Sequence, residues 1–390
     1  MEHWNEAKIK DFAEVKGGKR LPKGKQLIKE PNSHPYIRIR DLGKTKYLQL
    51  NSEYEYVDDE TQQSIARYIV NKGDILISVV GTIGLIGIVG ETLDKANQTE
   101  NCDKIINIKN VLPEYLYYYL ISSFGQDEIR KGTVGAVQPK LPLKNVQDIT
   151  IFYPSIEEQE RIVNILSSVD EKIETNNAIN NNLEQQAQAI YQQMFIDNAR
   201  SNWAEGTLSD IADITMGQSP SGSSYNEDGT GTIFFQGRAE FGFRFPSVRL
   251  YTTEPKRMAR SNDTLMSVRA PVGDLNVAHT DCCIGRGLAA IHSKSNHQSF
   301  VLYTMFSLKK QLDVFNGEGT VFGSINRNSL NDMPILIPSD DILDEFERIV
   351  APMDLTIRNN YDENCRLQDI RDTLLPRLMS GELDVSDIDI

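Results

Sequence analysis

Cysteine is scarce in this sequence. Four occur in 390 residues, Cys102, Cys282, Cys283 and Cys365, with one adjacent pair and no C-x-x-C. That scatter excludes a disulfide scaffold and points to reduced thiols of a cytoplasmic protein, two of them on a buried strand. Histidine is equally thin, with five isolated residues. His279 and His292 flank Cys282 and Cys283, but the spacing is foreign to zinc sites, so no metal site is expected. No uninterrupted apolar run is long enough to cross a bilayer, and the start Met1-Glu2-His3-Trp4-Asn5-Glu6 lacks a basic stretch followed by an apolar one, so neither membrane insertion nor secretion is expected. Catalytic strings are missing too: Asn/Asp-Pro-Pro-Tyr/Phe, G-x-x-x-x-G-K-S/T and H-E-x-x-H are all absent. Gly81, Gly84, Gly87 and Gly90 recur every third residue, which is not G-x-G-x-x-G and reads as a glycine-punctuated strand and turn. No catalytic residue is assigned.

What the sequence does contain, it contains twice. Gly73-Asp74-Ile75-Leu76-Ile77-Ser78-Val79 returns as Asn262-Asp263-Thr264-Leu265-Met266-Ser267-Val268, and Glu160-Arg161-Ile162-Val163 returns as Glu347-Arg348-Ile349-Val350. Trp4, Asp11-Phe12-Ala13 and Gly18 are echoed by Trp203, Asp210-Ile211-Ala212 and Gly217. A period this long describes two copies of one large unit rather than a solenoid. Short strands are expected at Tyr36–Arg40, Asp74–Val80 and Ile149–Tyr153, and helices at Pro113–Leu120 and Ser299–Phe306, whose aromatics read as core.

The net charge of -14 disfavours a polyanionic partner until its distribution is read. Residues 155–198 carry eight acids against two bases and residues 339–390 fourteen against five, which leaves +1 for everything else. Within that remainder, residues 16–46 hold ten bases against Glu30 and Asp41, and residues 236–260 hold six against two. A basic stretch early in each copy is the footprint of phosphate contact, although a solvated face gives the same pattern.

The acidic segments carry a heptad seam. Ile162, Leu166, Val169, Ile173, Asn176, Asn180, Leu183, Ala187, Ile190 and Met194 follow at alternating steps of four and three. Phe346, Val350, Met353, Ile357, Asn360, Asn364, Leu367, Arg371, Leu374 and Leu378 repeat them 184 residues later. Asn176 with Asn180, and Asn360 with Asn364, interrupt each seam at its middle and are expected to set register. Those interruptions fit either direction, but the order of the segments along the chain favours antiparallel pairing. Pro352 is expected to kink the second helix, while Pro376 lies near its end, where a break is tolerated.

These residues resemble the DNA-specificity (S) subunits of Type I restriction-modification systems along essentially the whole chain. The carriers are Gly73–Ser78 followed by Gly81-Thr82-Ile83-Gly84, the segment Pro154-Ser155-Ile156-Glu157-Glu158-Gln159-Glu160-Arg161-Ile162-Val163, and Leu374-Leu375-Pro376-Arg377-Leu378-Met379-Ser380-Gly381-Glu382-Leu383. The second copy departs at Ala270-Pro271-Val272-Gly273 and at Asp344-Glu345-Phe346-Glu347. The resemblance implies an α+β chain with two mixed α/β target-recognition domains, 1–154 and 200–338. They alternate with two long helices, 155–199 and 339–390 with its acidic tail, which form an antiparallel, pseudo-two-fold coiled coil. It further implies double-stranded DNA as ligand, a split asymmetric site, two methyltransferase (M) subunits and restriction (R) subunits as partners, and S-adenosylmethionine in the M subunit rather than in this chain.

The DNA-facing candidates in the first copy are Lys19, Arg20, Lys23, Lys25, Arg38, Arg40, Lys44 and Lys46. In the second they are Gln218, Ser219, Arg238, Arg244, Arg257 and Arg269, with Gln218 aligned to Lys19 and Arg238 to Arg40. Loops around Gly132-Thr133-Val134-Gly135 and Gly317-Glu318-Gly319-Thr320-Val321-Phe322-Gly323 are candidates for close approach to a groove. A protein-only scaffold is the alternative, and the basic stretches count against it.

Overall fold

The computed structural model describes residues 4–317 and 323–385. They form two compact units, residues 4–174 with 364–385 and residues 175–363.

In the first unit the strand Asn5–Lys8 pairs antiparallel with Thr150–Tyr153, Asn5 opposite Tyr153. The two ends of the globular part therefore meet just ahead of the long helix that begins at Ile156. Between them lies a five-stranded sheet in the order Glu14–Gly17, Cys102–Ile106, Ile75–Ser78, Ile86–Val89, Tyr47–Leu48. A three-stranded sheet follows the order Glu55–Tyr56, Pro35–Ile37, Asn97–Gln98. The repeated strand is buried at all four positions because both its faces are covered. Ile75 and Ile77 pack with the helix Pro113–Ile121, whereas Leu76 points the other way and joins Ile37, Leu48 and Val89. The tyrosines of that helix are buried core residues, as expected.

The second unit repeats this plan. Ala204–Thr207 pairs with Pro334–Ile337, and Thr264–Ser267 lies between Leu288–Ser293 and Leu275–Val277. The parallel pairing of Tyr36 with Asn97 recurs as Phe234 with Cys283. Cys282 and Cys283 are buried in the strand Cys282–Ile284. Even the divergent turns agree: Ser78 Oγ donates to the Thr82 carbonyl and Ser267 Oγ to the Pro271 carbonyl, both at 2.6 Å. The glycine run of the first copy spans this turn and the strand after it, with Gly81 and Gly84 at positive φ in the turn and Gly87 within the strand Ile86–Val89.

Two long helices run over Ile156–Tyr191 and Asp340–Met379. Acids occupy the first turn of each, where they complement the helix dipole. The second stops at Gly381, whose φ of 68° lets Glu382 N return to the Arg377 carbonyl. Pro352 does not interrupt it: the residue is exposed, as is Arg348 one turn earlier, so water can reach the carbonyl that the missing N–H leaves free. Every seam position on both helices is buried or half-buried. In the first unit Ile162 and Leu166 share a core with Leu375, Leu378 and Met379, and Asp170 pairs with Arg371 at 3.2 Å. In the second, Asn176 Nδ2 donates to Glu363 Oε2 and Asn360 Nδ2 to Asn180 Oδ1, both at 2.8 Å, and Phe195 packs on Phe346. Numbers rise along one helix as they fall along its neighbour. Among the described residues no helix is long and apolar enough to cross a membrane.

Candidate nucleic-acid interface

The expected strand Tyr36–Arg40 ends early. Pro35–Ile37 is extended, and the chain then tightens into a 3₁₀ turn, Ile39–Asp41, capped by Asp41 Oδ2 accepting from the Arg38 N–H at 2.7 Å. That turn sets Arg38 and Arg40 on the rim of an open groove also lined by Arg20, Lys25, Glu55 and Glu100. Four cations against two carboxylates leave the groove at +2. Arg38 and Arg40 both reach Glu55, the latter at 3.0 Å. Arg20 Nε donates to Glu100 Oε1 at 2.8 Å; burial opposes the Glu100 charge, but Arg20, the Glu100 backbone N–H and the Thr99 hydroxyl hold its carboxyl below the usual range. Exposed pairs of this kind contribute about 0–1 kcal/mol, so exchanging a carboxylate for a phosphate costs little.

Gly18 delivers the loop carrying Lys19 and Arg20. A Cβ there would stand 2.0 Å from the Thr99 carbonyl oxygen, so only glycine lets the loop pass. Lys19 and Lys23 are exposed, Lys19 lying over the Tyr68 ring. Lys44 is exposed 4.0 Å from Glu53. Lys25 is held by Glu60 at 2.5 Å and Asp58 at 3.2 Å, which raise its pKa.

The second unit builds a groove at the same place. The 3₁₀ turn Arg238–Glu240 follows the strand Thr232–Phe235, and the groove beside it is lined by Arg238, Arg249, Arg269, Glu240, Ser267 and Gly287, among others. Three cations against one carboxylate again give +2. Gly217 passes the Gly285 carbonyl as Gly18 passes Thr99, with a virtual Cβ 2.1 Å away. It leads to exposed Gln218 and half-buried Ser219, whose Oγ accepts from Arg286 N at 3.3 Å. Arg257 and Arg269 are exposed. Arg238 pairs with Asp274. Arg249, 3.0 Å from Glu240, sits in the basic stretch of residues 236–260, but nothing in its spacing singles it out.

Two of the sequence candidates are not surface groups. Lys46 and Arg244 retain only 5% and 4% of their accessible surface. Lys46 Nζ donates to Ser167 Oγ at 2.7 Å, and Arg244 pairs with Glu184 at 2.8 Å and Asp354 at 3.0 Å. Their place in the basic stretches marks them as DNA-facing, but each side chain is buried against the long helices, Lys46 on Ser167 and Arg244 on Glu184 and Asp354, so neither faces solvent.

The loop at Gly132–Gly135 is a small hairpin. Val134 and Lys140 exchange backbone hydrogen bonds at 2.9 Å, and Leu141 N donates to the Val79 carbonyl, next to the groove's Gly81 turn. Residues 318–322 of the second loop lie outside the described residues; its flank does the same job, with Ala270 N donating to the Gly323 carbonyl at 2.9 Å. Asn176, Asn180, Asn360 and Asn364 all lie in the helix seams, buried or half-buried. His279 is bonded to Asp362 and His292 to Asp263, both at 2.6 Å, and the described residues contain no metal-binding cluster.

Residues 1–185 and 200–360 match the family model described as Type I restriction modification DNA specificity domain. The chain is 29% identical, over 410 aligned residues, to the provisionally named type I restriction enzyme MjaX specificity subunit of Methanocaldococcus jannaschii, covering 98% of this chain and 94% of that one. It is 26% identical to the MjaIX specificity subunit of the same organism, covering 99% and 94%. The crystal structure of a Type I restriction-modification S subunit from M. genitalium, 17% identical, superposes with a TM-score of 0.59 over 96% of each chain and shares the fold. With duplicated grooves of one sign and a family match over both copies, the chain belongs to the DNA specificity subunits of Type I restriction-modification systems, non-catalytic chains that recognise a DNA target.

Proposed function

We propose that this chain reads a split, asymmetric double-stranded DNA site, one half with each groove, and directs a partner adenine methyltransferase and restriction subunits to it. One observation carries the reading: grooves of equal net charge occupy the same position in both copies yet differ in almost every lining side chain. Equal charge suits two similar backbones, and unequal lining suits two different base sequences. Arg20, Arg38 and Arg40 in one groove, and Arg238, Arg249 and Arg269 in the other, are the proposed contacts. Lys19, Lys23, Lys44, Gln218, Ser219 and Arg257 flank them, and Lys25 joins once its acids yield.

The two long helices form the spacer in this reading, an antiparallel coiled coil whose buried asparagines set register and whose pseudo-dyad relates the two copies. Support comes from the matched seams and from the run of contacts in each unit. Two M subunits, which bring S-adenosylmethionine, and the R subunits complete a cytoplasmic complex, and this chain needs no cofactor of its own.

Methylome sequencing of cells expressing the chain with its M subunit, against cells lacking the chain, tests the reading. The expected result is methylated adenine in one new bipartite motif with unlike halves. A complex that assembles and methylates without any such motif would leave a protein-only scaffold.

A further inference from the structure

We propose that Lys46 and Arg244 are positioning residues, buried cations that lock each groove to the long helices of its own unit and so fix where its half-site is presented. The proposal rests on the reading that the grooves bind DNA. Its basis is an equivalence that the sequence conceals. Ile88 N donates to the Lys46 carbonyl and Val277 N to the Arg244 carbonyl, so the two cations stand at the same place beside equivalent strands in the two copies, although only Lys46 leads into an assigned strand, Tyr47–Leu48. Arg40 precedes Lys46, and Arg238 precedes Arg244, by the same six positions. One short segment thus ends in a solvent-facing arginine at the groove and, at its other end, in a buried cation.

The cations meet matched partners. Lys46 Nζ lies 3.3 Å from the Tyr118 hydroxyl, which donates to Asp170 Oδ2 at 2.6 Å. Arg244 Nη2 donates to the Tyr303 hydroxyl at 3.2 Å, and that hydroxyl donates to Asp354 Oδ1 at 2.9 Å. Each cation also lies over its tyrosine ring, at 5.4 and 5.8 Å. Asp170 belongs to the first long helix and Asp354 to the second, 184 residues apart, the interval that relates the two seams. Each aspartate meets a further charge from the opposite long helix: Arg371 pairs with Asp170, and Glu184 shares Arg244 with Asp354.

A hydrophobic contact slides at little cost, but a buried charge does not. Displacing either segment along its helix would pull a buried ammonium or guanidinium group off the acceptors that now hold it, Ser167 and Tyr118 for Lys46 and Tyr303, Asp354 and Glu184 for Arg244. Burial alone would lower the Arg244 pKa; Tyr303, Asp354 and Glu184 overcome that and raise it, so the charge persists at any working pH. The same chemistry appears twice with different cations, which suits a fixed geometry more than a particular packing volume.

The test is methylome sequencing of cells carrying the M subunit with the wild-type chain, Arg244→Met, Arg244→Lys or Tyr303→Phe. Arg244→Met should keep the bases of both half-sites while methylation at sites with one base pair more or fewer between them rises about tenfold above wild type. Tyr303→Phe should move the same way, and Arg244→Lys should restore a single spacing. Methylation that keeps the wild-type spacing in both Arg244→Met and Tyr303→Phe, whether at full level or reduced equally at every spacing, overturns the proposal and leaves these residues a purely stabilising role. A wild-type chain that yields no bipartite motif overturns instead the reading on which the proposal stands. Should Arg244→Met fail to accumulate, Tyr303→Phe, which preserves core volume, decides alone.

Discussion

Asn360 donates through Nδ2 to Oδ1 of Asn180 at 2.8 Å, an amide pair between two long helices whose seam is mostly apolar and whose other polar links include Asn176 with Glu363 and Asp170 with Arg371. An amide in such a seam is kept for specificity rather than strength, because only one register brings both amides together. Replacing one partner leaves the other unmatched: Asn180→Leu should cost about 1–3 kcal/mol. Asn180→Leu with Asn360→Leu should recover most of that loss. Urea denaturation of the two single variants and the double variant gives the coupling directly. Additive losses would mean that the amides do not act as a pair.

Arg38 and Arg40 sit on one groove rim and share Glu55. If both meet phosphate, Arg38→Ala with Arg40→Ala should lower the slope of log K against log salt by about 2 and weaken binding at every sequence. Arg249→Ala should produce a change of about 1 through the other groove. Titrations of labelled duplex into the assembled complex at several salt concentrations measure both. An unaltered slope would remove these residues from the interface.

Gly18 and Gly217 make equivalent close backbone approaches beside the two grooves, and neither has a positive φ. Their requirement is space. Gly18→Ala or Gly217→Ala should therefore displace the neighbouring loop, lowering stability by about 1–3 kcal/mol and DNA affinity more than M-subunit binding. A thermal melt combined with the two binding assays separates these effects; equal losses in both assays would indicate general unfolding.

The fold was legible where its signals were periodic. The seam at steps of four and three marked both long helices, and the two echoed strands marked the centre of each sheet. The matching string Glu160–Val163 and Glu347–Val350 misleads by three positions, because contacts follow the seam interval: Asp170 and Asp354 are the residues that meet equivalent tyrosines. Charge counting found the grooves but could not separate rim from interior. Lys46 and Lys44 look alike in sequence, yet one is buried against Ser167 and the other is exposed. Arg249 was hidden for the opposite reason, since only the fold brings it beside Arg238 and Arg269.

Asp103 lies in the strand Cys102–Ile106 between Gly17 and Ile77, nearly inaccessible, with no hydrogen-bond partner for Oδ2. Burial pushes its carboxyl up to about 6. The equivalent position in the second unit, opposite Met216 and Met266, is Ala289, so the sheet does not need an acid there. Because the folded-state value lies above the unfolded one, the folded chain holds this proton more tightly. Stability therefore falls as pH rises from about 4 to about 6, and the penalty persists in full above that window. Asp103→Asn removes the charge while keeping the shape, and should stabilise the first unit at pH 7 by about 2–3 kcal/mol. The gain should shrink as the medium is acidified through the window and disappear near pH 4. Urea unfolding of both proteins across that range tests the claim: a difference independent of pH would mean that water reaches the carboxylate and that its burial carries no charge penalty.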